Sequence, residues 1–128
     1  MSKFTVVNLS DVEDVVGERA PGVEGRFARK HMGSKELGVS FLRYGPNVRS
    51  PMGHSHKAQE EAYVVVDGTG RIKIDDEIID LKKWDIVRIA PKAVRAFEGG
   101  PEGLALIAIG GTRPADGDGV PVPDWWQD

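Results

Sequence analysis

Short runs of alternating apolar and polar residues, separated by turns rich in glycine and proline, extend along the chain. Residues 71–75 (RIKID) alternate cleanly, and residues 36–44 do so with Leu37, Val39 and Phe41 on one side. Alternation with a period of two is typical of a strand that buries one face. Further strands are predicted at residues 4–8, 26–31, 61–67, 77–81, 84–90, 94–97 and 103–110.

The predicted strands number about nine, and turn residues recur every 8 to 12 positions or so. The Gly-Thr-Gly of residues 68–70 is predicted to turn the chain, and Asp75-Asp76 favours a tight turn because aspartate tolerates positive φ. A helical signal is confined to a short turn beginning at Ser10. This pattern predicts an all-β protein with a jelly-roll β-barrel.

The chain of 128 residues is short enough for one domain. We expect a barrel over residues 1–110, including the N-terminal strand, and an extended tail over residues 111–128, where proline, glycine and aspartate dominate. Trp125 and Trp126 are large apolar groups in that tail. They predict that the tail packs on its own barrel or on a partner subunit.

Composition narrows the classes of function. The net charge of −3 gives no electrostatic reason to expect nucleic acid or an anionic membrane as a partner. The chain has no cysteine, which excludes disulfides and thiolate chemistry. It has no apolar stretch of the roughly 20 residues that span a bilayer, and its first residues do not resemble a secretory signal. A cytoplasmic protein is expected.

Two of the three histidines lie two residues apart, at His54 and His56. Residues two apart on a strand share a face, so both imidazoles can point toward one place. The next predicted strand supplies Glu60 and Glu61, only one of which can face inward. Imidazole ligands suit Zn, Fe, Cu, Ni or Mn, and a carboxylate shifts the preference toward Fe or Mn.

The spacing of these residues resembles the first motif of the cupin superfamily. That motif has two histidines separated by one residue, then a glutamate and then a glycine, and it is matched by His54, His56, Glu61 and Gly68. The resemblance extends over residues 37–109. It implies a small single-domain cupin, a jelly-roll barrel with the site in its interior.

The second motif departs from the family pattern. Cupins typically continue with Gly-Asp, a proline turn and a histidine that is the fourth metal ligand. Here Asp85 and Pro91 match, while Trp84 replaces the glycine. If Phe97 matches the aromatic residue that follows the histidine, the position of the histidine holds Arg95, which cannot bind a metal.

Three interpretations follow from this departure. His54, His56 and Glu61 can form a two-histidine, one-carboxylate site with the remaining positions left to water or substrate. His31 can replace the missing ligand. Alternatively, Arg95 takes the place of the metal and pairs with Glu61 or with an anionic ligand. An inward guanidinium and a divalent cation compete in a pocket of low dielectric.

The predicted function is that of a small cupin that binds a divalent metal (Fe, Mn, Zn or Ni) through His54, His56 and Glu61. Arg95 and Tyr63 are predicted to contact a small anionic molecule. The alternative is a metal-free barrel that binds a small anionic ligand without catalysis, with both histidines as polar groups of the pocket. The resemblance also implies a homodimer, because edge strands require covering.

Overall fold

A computed structural model describes residues 3–114 and 117–128. Residues 1–2 of the predicted barrel and residues 115–116 of the predicted tail lie outside the described residues. The described part contains one short α-helix, α1 (Arg29–Met32), a 3-10 helix and eight strands. The strands are β1 (Val23–Phe27), β2 (Gly38–Tyr44), β3 (Gly53–His56), β4 (Glu61–Ile74), β5 (Glu77–Lys82), β6 (Ile86–Ile89), β7 (Arg95–Gly110) and β8 (Gly119–Val122).

All strand pairs are antiparallel, and β7 is the central strand of the curled sheet. It pairs with β2 along one edge and with β4 along the other, and it also contacts β3. The sheet runs in the order β1-β2-β7-β3-β8, while β5 and β6 pair with β4. The predicted all-β jelly-roll fold is therefore confirmed.

Strands β4 and β7 are longer than the sequence pattern predicted. The Gly-Thr-Gly of residues 68–70 does not end a strand. Instead β4 continues through it with register shifts typical of β-bulges. Gly68 and Gly103 have φ values of 73° and 85°, and a Cβ atom on Gly68 would overlap the carbonyl oxygen of Gly103. Only glycine permits this close approach, so the two strands bend together where a turn was predicted.

The predicted strand at residues 4–8 is wrong. These residues form no ladder with a neighbouring strand, and the side chains of Phe4 and Val6 are 78% and 87% exposed. A short 3-10 helix follows at Leu9–Asp11, with the side chain of Asn8 accepting a hydrogen bond from the Ser10 amide. The apolar side chains of this segment therefore do not contribute to the core of the described residues.

The predicted strand at residues 26–31 is also misplaced. β1 ends at Phe27, and Arg29–Met32 form α1, which Gly33 ends in a left-handed conformation with a φ of 65°. His31 therefore lies on a helical turn, and its side chain is exposed. No helix in the described part of the chain is long and apolar enough to cross a membrane.

The core fills the barrel beside the central strand. The ring of Phe97 lies 4.8 Å from that of Tyr63 and 5.8 Å from that of Tyr44, measured between centroids. These aromatic residues pack with aliphatic side chains from five strands. The buried cluster comprises Val23, Tyr44, Tyr63, Val65, Ile72, Leu81, Ile89, Phe97, Leu104, Leu106 and Ala108.

The C-terminal segment lies against the barrel of its own chain. β8 pairs with β3, placing Gly119 opposite His56. The indole of Trp126 donates to the Ser50 carbonyl at 3.1 Å, and the Arg49 guanidinium lies 4.5 Å from the indole centroid. These contacts anchor the end of the chain beside the strand that carries both histidines.

Asp75 and Trp84 are among the non-glycine residues that have left-handed backbones in turns. Asp75 has a φ of 50°, which matches the turn predicted for Asp75-Asp76. Trp84, which stands where the family motif has glycine, has a φ of 76°, and its side chain is 67% exposed. A left-handed conformation costs a residue with a Cβ atom roughly 1 kcal/mol or more, so Trp84 is strained without being buried.

Replacing Trp84 by glycine should raise the free energy of unfolding by about 1 kcal/mol relative to Trp84→Ala, because only glycine relieves the left-handed strain. Urea denaturation of the two variants measures this difference directly. Alanine is the matched control, since it also removes the indole but keeps the Cβ atom. Equal stability of the two variants would contradict the assignment of strain.

Candidate metal centre

Three side chains converge on the inner face of the barrel. β3 presents His54 and His56 on the same side, with ring centroids 5.1 Å apart, and Glu61 begins β4, the next strand along the chain. Their potential ligand atoms all lie within 4.8 Å of one another. Glu60 points outward and pairs with Arg88 at 2.8 Å, so Glu61 is the inward glutamate.

One oxygen of Glu61 is the meeting point of the site. Oε1 lies 3.0 Å from His56 Nε2 and 3.7 Å from His54 Nε2. It accepts a hydrogen bond from the Tyr63 hydroxyl at 2.5 Å and another from Arg95 Nη2 at 3.3 Å. Two imidazoles, a phenol and a guanidinium therefore surround a single carboxylate oxygen.

These neighbours determine the ionisation of the carboxyl group. Burial raises the pKa of Glu61, but the imidazoles of His54 and His56 and the hydroxyl of Tyr63 outweigh burial, so this pKa lies well below its usual range. Burial, followed by the negative charge of Glu61, raises the pKa of the Tyr63 phenol well above its usual value. Glu61 is thus a carboxylate, and Tyr63 is a neutral hydrogen-bond donor.

Arg95 occupies the position that the family motif gives to the fourth ligand. It begins β7 and is the cross-strand partner of His54. Its guanidinium is fully buried and donates to the carbonyls of Ala93 and Pro91 at 2.7 and 3.3 Å as well as to Glu61. The direction of Arg95, which the sequence left open, is inward. Its contact with a ligand stays a prediction.

The donor atoms meet the basic requirements of a metal centre. His56 is buried, and neither of its ring nitrogens has a hydrogen-bond partner, since the 3.0 Å contact with Glu61 lacks hydrogen-bond geometry. A buried imidazole nitrogen without a partner is costly unless another group binds it. Two imidazoles and one carboxylate are also donor types that suit a transition-metal ion.

Asp118 also belongs to this site, although the sequence pattern did not indicate it. Its side chain is buried, and Oδ2 lies 3.6 Å from His56 Nδ1 while accepting hydrogen bonds from the amides of Ala58 and Gln59. A carboxylate beside the second ring nitrogen orients a metal-binding imidazole. Asp118 reaches His56 only because β8 pairs with β3, and that long-range pairing leaves no local signal.

A cavity of about 530 Å³ opens in front of the three convergent side chains. One wall is apolar, with Val23, Phe27 and Leu42. Tyr63 lines the cavity, and its contact with a ligand stays a prediction, while Arg29 and Arg113 are cationic groups of the lining that the sequence pattern did not indicate. The volume suits a small molecule.

His31 does not join the metal centre. It is exposed on α1, and the group of potential ligands found among the described residues consists of His54, His56 and Glu61. The interpretation in which His31 replaces the missing ligand is therefore not supported.

The amino-acid sequence resembles a curated protein over about a third of the chain. No family model matches the chain. An uncharacterized protein from Methanocaldococcus jannaschii is 36% identical over 45 residues, which are 35% of this chain and 36% of that relative. The chain thus matches about a third of the length of this curated relative.

Comparisons of structure are more extensive. A cupin protein from Bacteroides fragilis is 23% identical, with a TM-score of 0.73 over 90% of this chain and 89% of the other. A sugar phosphate isomerase of the cupin superfamily from Silicibacter pomeroyi is 16% identical, with a TM-score of 0.73 and coverages of 94% and 93%. Oxalate decarboxylase from Bacillus subtilis is 19% identical, with a TM-score of 0.74 over 91% of this chain and 32% of the enzyme.

These likenesses define the class of the protein: the chain has the cupin fold. The resemblance inferred from His54, His56, Glu61 and Gly68 is confirmed at this level. At identities below a quarter, the neighbours establish the fold alone.

Replacing Glu61 by glutamine should lower the free energy of unfolding at pH 7 by about 3 kcal/mol, because the buried charge of Arg95 loses its partner. Chemical denaturation measures the change. Glu60→Gln is the matched control, since this neighbouring glutamate forms an exposed pair with Arg88, and exposed pairs contribute less than about 1 kcal/mol. Equal effects of the two substitutions would contradict the central position of Glu61.

The same variant tests the ionisation of Glu61. Because the folded-state pKa lies below the ordinary value of 4.5, the carboxylate stabilises the fold fully above that pH, and the contribution is lost as the pH falls below it. The wild-type free energy of unfolding should therefore fall more steeply than that of Glu61→Gln between about pH 5 and about pH 3. Parallel pH profiles would show that the pKa of Glu61 is not depressed.

Proposed function

We propose that this protein is a small cupin that binds a divalent metal ion through His54, His56 and Glu61 and takes a small anionic molecule into the adjoining cavity. The observation that supports this function most strongly is the convergence of three potential ligands within 4.8 Å on the wall of a cavity. Two imidazoles and one carboxylate on one side of an ion leave positions open for water or substrate.

The donor set limits the identity of the ion to Fe, Mn, Zn or Ni. When bound, such an ion supplies Lewis-acid chemistry or activates oxygen. The residues of the chain perform the remaining tasks. Asp118 lies 3.6 Å from His56 Nδ1 and would orient the imidazole once a hydrogen bond forms between them, and Tyr63 holds Oε1 of Glu61 by its hydroxyl.

Arg95 adds a positive charge to the centre at the position where the family motif has a histidine ligand. Its charge is balanced by Glu61, and the buried Asp118 carboxylate compensates for only part of the charge of a divalent ion, so the occupied centre would carry net positive charge. An anionic ligand in the cavity compensates for that charge. We therefore assign to Arg95 an attraction for the ligand through its charge, and to Tyr63 a contact from the cavity wall.

The names of two structural neighbours are consistent with an anionic substrate. The Silicibacter pomeroyi protein is a sugar phosphate isomerase, and the Bacillus subtilis enzyme is an oxalate decarboxylase. Phosphate and oxalate both carry oxyanions. This supports a ligand with a carboxylate or phosphate group, without selecting a reaction.

A second candidate function is favoured by the ion pair of Arg95 with Glu61 at 3.3 Å. In that case the guanidinium takes the place of the metal, and the barrel binds a small anionic ligand without catalysis. His54 and His56 then serve as polar groups of the pocket. The two candidates differ in whether the purified protein retains a transition metal.

Wild-type protein expressed without an affinity tag should retain close to one equivalent of a transition metal, and His56→Ala should lose it, because two ligands bind far more weakly than three. Mass spectrometry of the metal content measures both. His31→Ala is the matched control, since it removes the exposed histidine and should leave the ion in place.

Arg95→His is a second test of metal binding. It removes the guanidinium charge that competes with the metal, and it adds a potential imidazole ligand at the cross-strand partner of His54. This variant should retain the metal at least as fully as the wild type. A wild type that is free of metal, together with an Arg95→His variant that binds it, would favour the non-catalytic candidate. Equal metal loss from His31→Ala and His56→Ala would contradict the site.

We also propose that the protein forms a homodimer through the outer face of the sheet. Phe41, Ile107, Val64 and Ile86 are cross-strand neighbours in one row across β2, β7, β4 and β6, and Ile109 lies beside them. Ile86 is 69% exposed and Ile109 is 40% exposed. A continuous apolar row of this kind is typical of an interface. The cytoplasmic location stays a prediction.

Replacing Ile109 by lysine should shift the protein from dimer to monomer in analytical ultracentrifugation, because a charge would then be buried in the interface. Ile78→Lys is the matched control. Ile78 is similarly exposed, at 47%, but it lies on β5, away from the row. A wild type that sediments as a monomer would overturn the proposal.

A further inference from the structure

We propose that Arg29 and Arg113 form an anion-binding subsite on the side of the cavity opposite the candidate metal centre, and that they hold the terminal carboxylate or phosphate of the ligand. This inference rests on one part of the proposed function, namely that the cavity binds a small anionic molecule. It assigns the recognition of that molecule to two residues that no motif indicated.

The registers of the strands place Arg29 in line with Glu61. Glu61 on β4 is opposite Gly110 on β7, and Gly110 is opposite Gly38 on β2. On the far side of β2, the Ala28 amide donates to the Val39 carbonyl, so Arg29 follows directly beside Gly38. Because neighbouring strands are about 4.8 Å apart, Glu61 and Gly38 are separated by roughly 10 Å across the sheet.

The two glycines between these groups leave space that side chains from neighbouring segments fill, with Gln59 over Gly110 and Arg29 over Gly38. The guanidinium of Arg29 extends over Gly38, since a Cβ atom there would lie 2.6 Å from Arg29 Nη2. The same nitrogen donates to the Gly111 carbonyl at 3.1 Å, and the Gln59 amide shares that acceptor at 2.9 Å. These bonds fix the guanidinium at the cavity wall, and its remaining N–H groups can bind a ligand.

Arg113 and Arg29 line the same cavity. Burial and then the charge of Arg113 lower the pKa of Arg29 from its ordinary value. Within residues 3–114 and 117–128, no carboxylate forms an ion pair with either guanidinium. Two guanidinium groups on the wall of one concave pocket attract an oxyanion, which would offset their positive charge.

Arg95 is less suited than Arg29 to bind an anionic group in the cavity. It has no exposed surface, and its guanidinium is engaged with Glu61 and two carbonyls. Arg29 is partly exposed and lines the cavity. An anionic group that enters the cavity therefore meets Arg29 and Arg113 at one side and the histidines at the other.

The separation of the two sides defines the class of ligand. A molecule with an oxyanion at one end and a second oxygen at the other can contact Arg29 and the His54–Glu61 region together. A small dicarboxylate or a small phosphorylated compound has this shape. Both present the same terminal oxyanion to the guanidinium groups, and bidentate arginine contacts suit either one.

Titrations with succinate and with inorganic phosphate, followed by isothermal calorimetry, test the subsite. The wild type should bind at least one of the two probes, and Arg29→Gln should weaken that binding at least about tenfold, through loss of charge-assisted hydrogen bonds. Arg113→Gln should weaken it several-fold and provides a second variant if Arg29→Gln does not fold. Arg43→Gln is the matched control, because Arg43 is exposed and lies beside Glu24 at 3.6 Å.

Binding of phosphate alone or of succinate alone supports the subsite and identifies the headgroup. Absence of binding by the wild type, or equal effects of Arg29→Gln and Arg43→Gln, would overturn it. Repeating the titration with His56→Ala separates the two proposals. If that variant has lost the metal and its anion binding still depends on Arg29, the subsite stands without the metal centre. If the protein retains the metal and Arg29→Gln does not weaken its anion binding, the subsite is contradicted while the metal centre stands.

Discussion

The interior of this barrel is organised around one carboxylate oxygen. Oε1 of Glu61 is within 3.7 Å of donor atoms from His54, His56, Tyr63 and Arg95, which come from three strands. Because the guanidinium is fully buried, its charge depends on this oxygen for compensation. The same carboxylate is a candidate metal ligand. The stability of the barrel and the chemistry of its cavity therefore depend on the same group.

The strands can bring these groups together because of their parity and their bends. Residues two apart on β3 and β4 share the inner face, which places His54 with His56 and Glu61 with Tyr63. The beginning of β7 must also reach that face, where Arg95 pairs with His54. It does so because β4 and β7 bend together where Gly68 approaches Gly103. The glycine of the motif thus shapes the strands that carry the site.

Local spacing was sufficient to predict much of the site and of the fold. The intervals between His54, His56 and Glu61 identified the convergent group, while an inward Arg95 was one of the interpretations that the sequence left open. The continuous bends of β4 and β7 could not be distinguished from turns, since bends and turns are both rich in glycine. In β4 the glycines are those of Gly-Thr-Gly at residues 68–70. Asp118 and Arg29 were not predictable, because their positions depend on the pairing of β8 with β3 and on the short helix after β1.

The substitution of arginine for the expected histidine connects metal binding with ligand binding. Arg95 is balanced by Glu61, and the buried carboxylate of Asp118 lies beside His56, so a divalent ion would change the centre from net negative to net positive. In the proposed function, an oxyanion in the cavity offsets that positive charge, and Arg29 and Arg113 add further attraction from the opposite wall. Under that proposal, each of the two ligands favours the binding of the other. By thermodynamic linkage this coupling is reciprocal, so a centre that binds a metal weakly by itself can bind it firmly with the anion present.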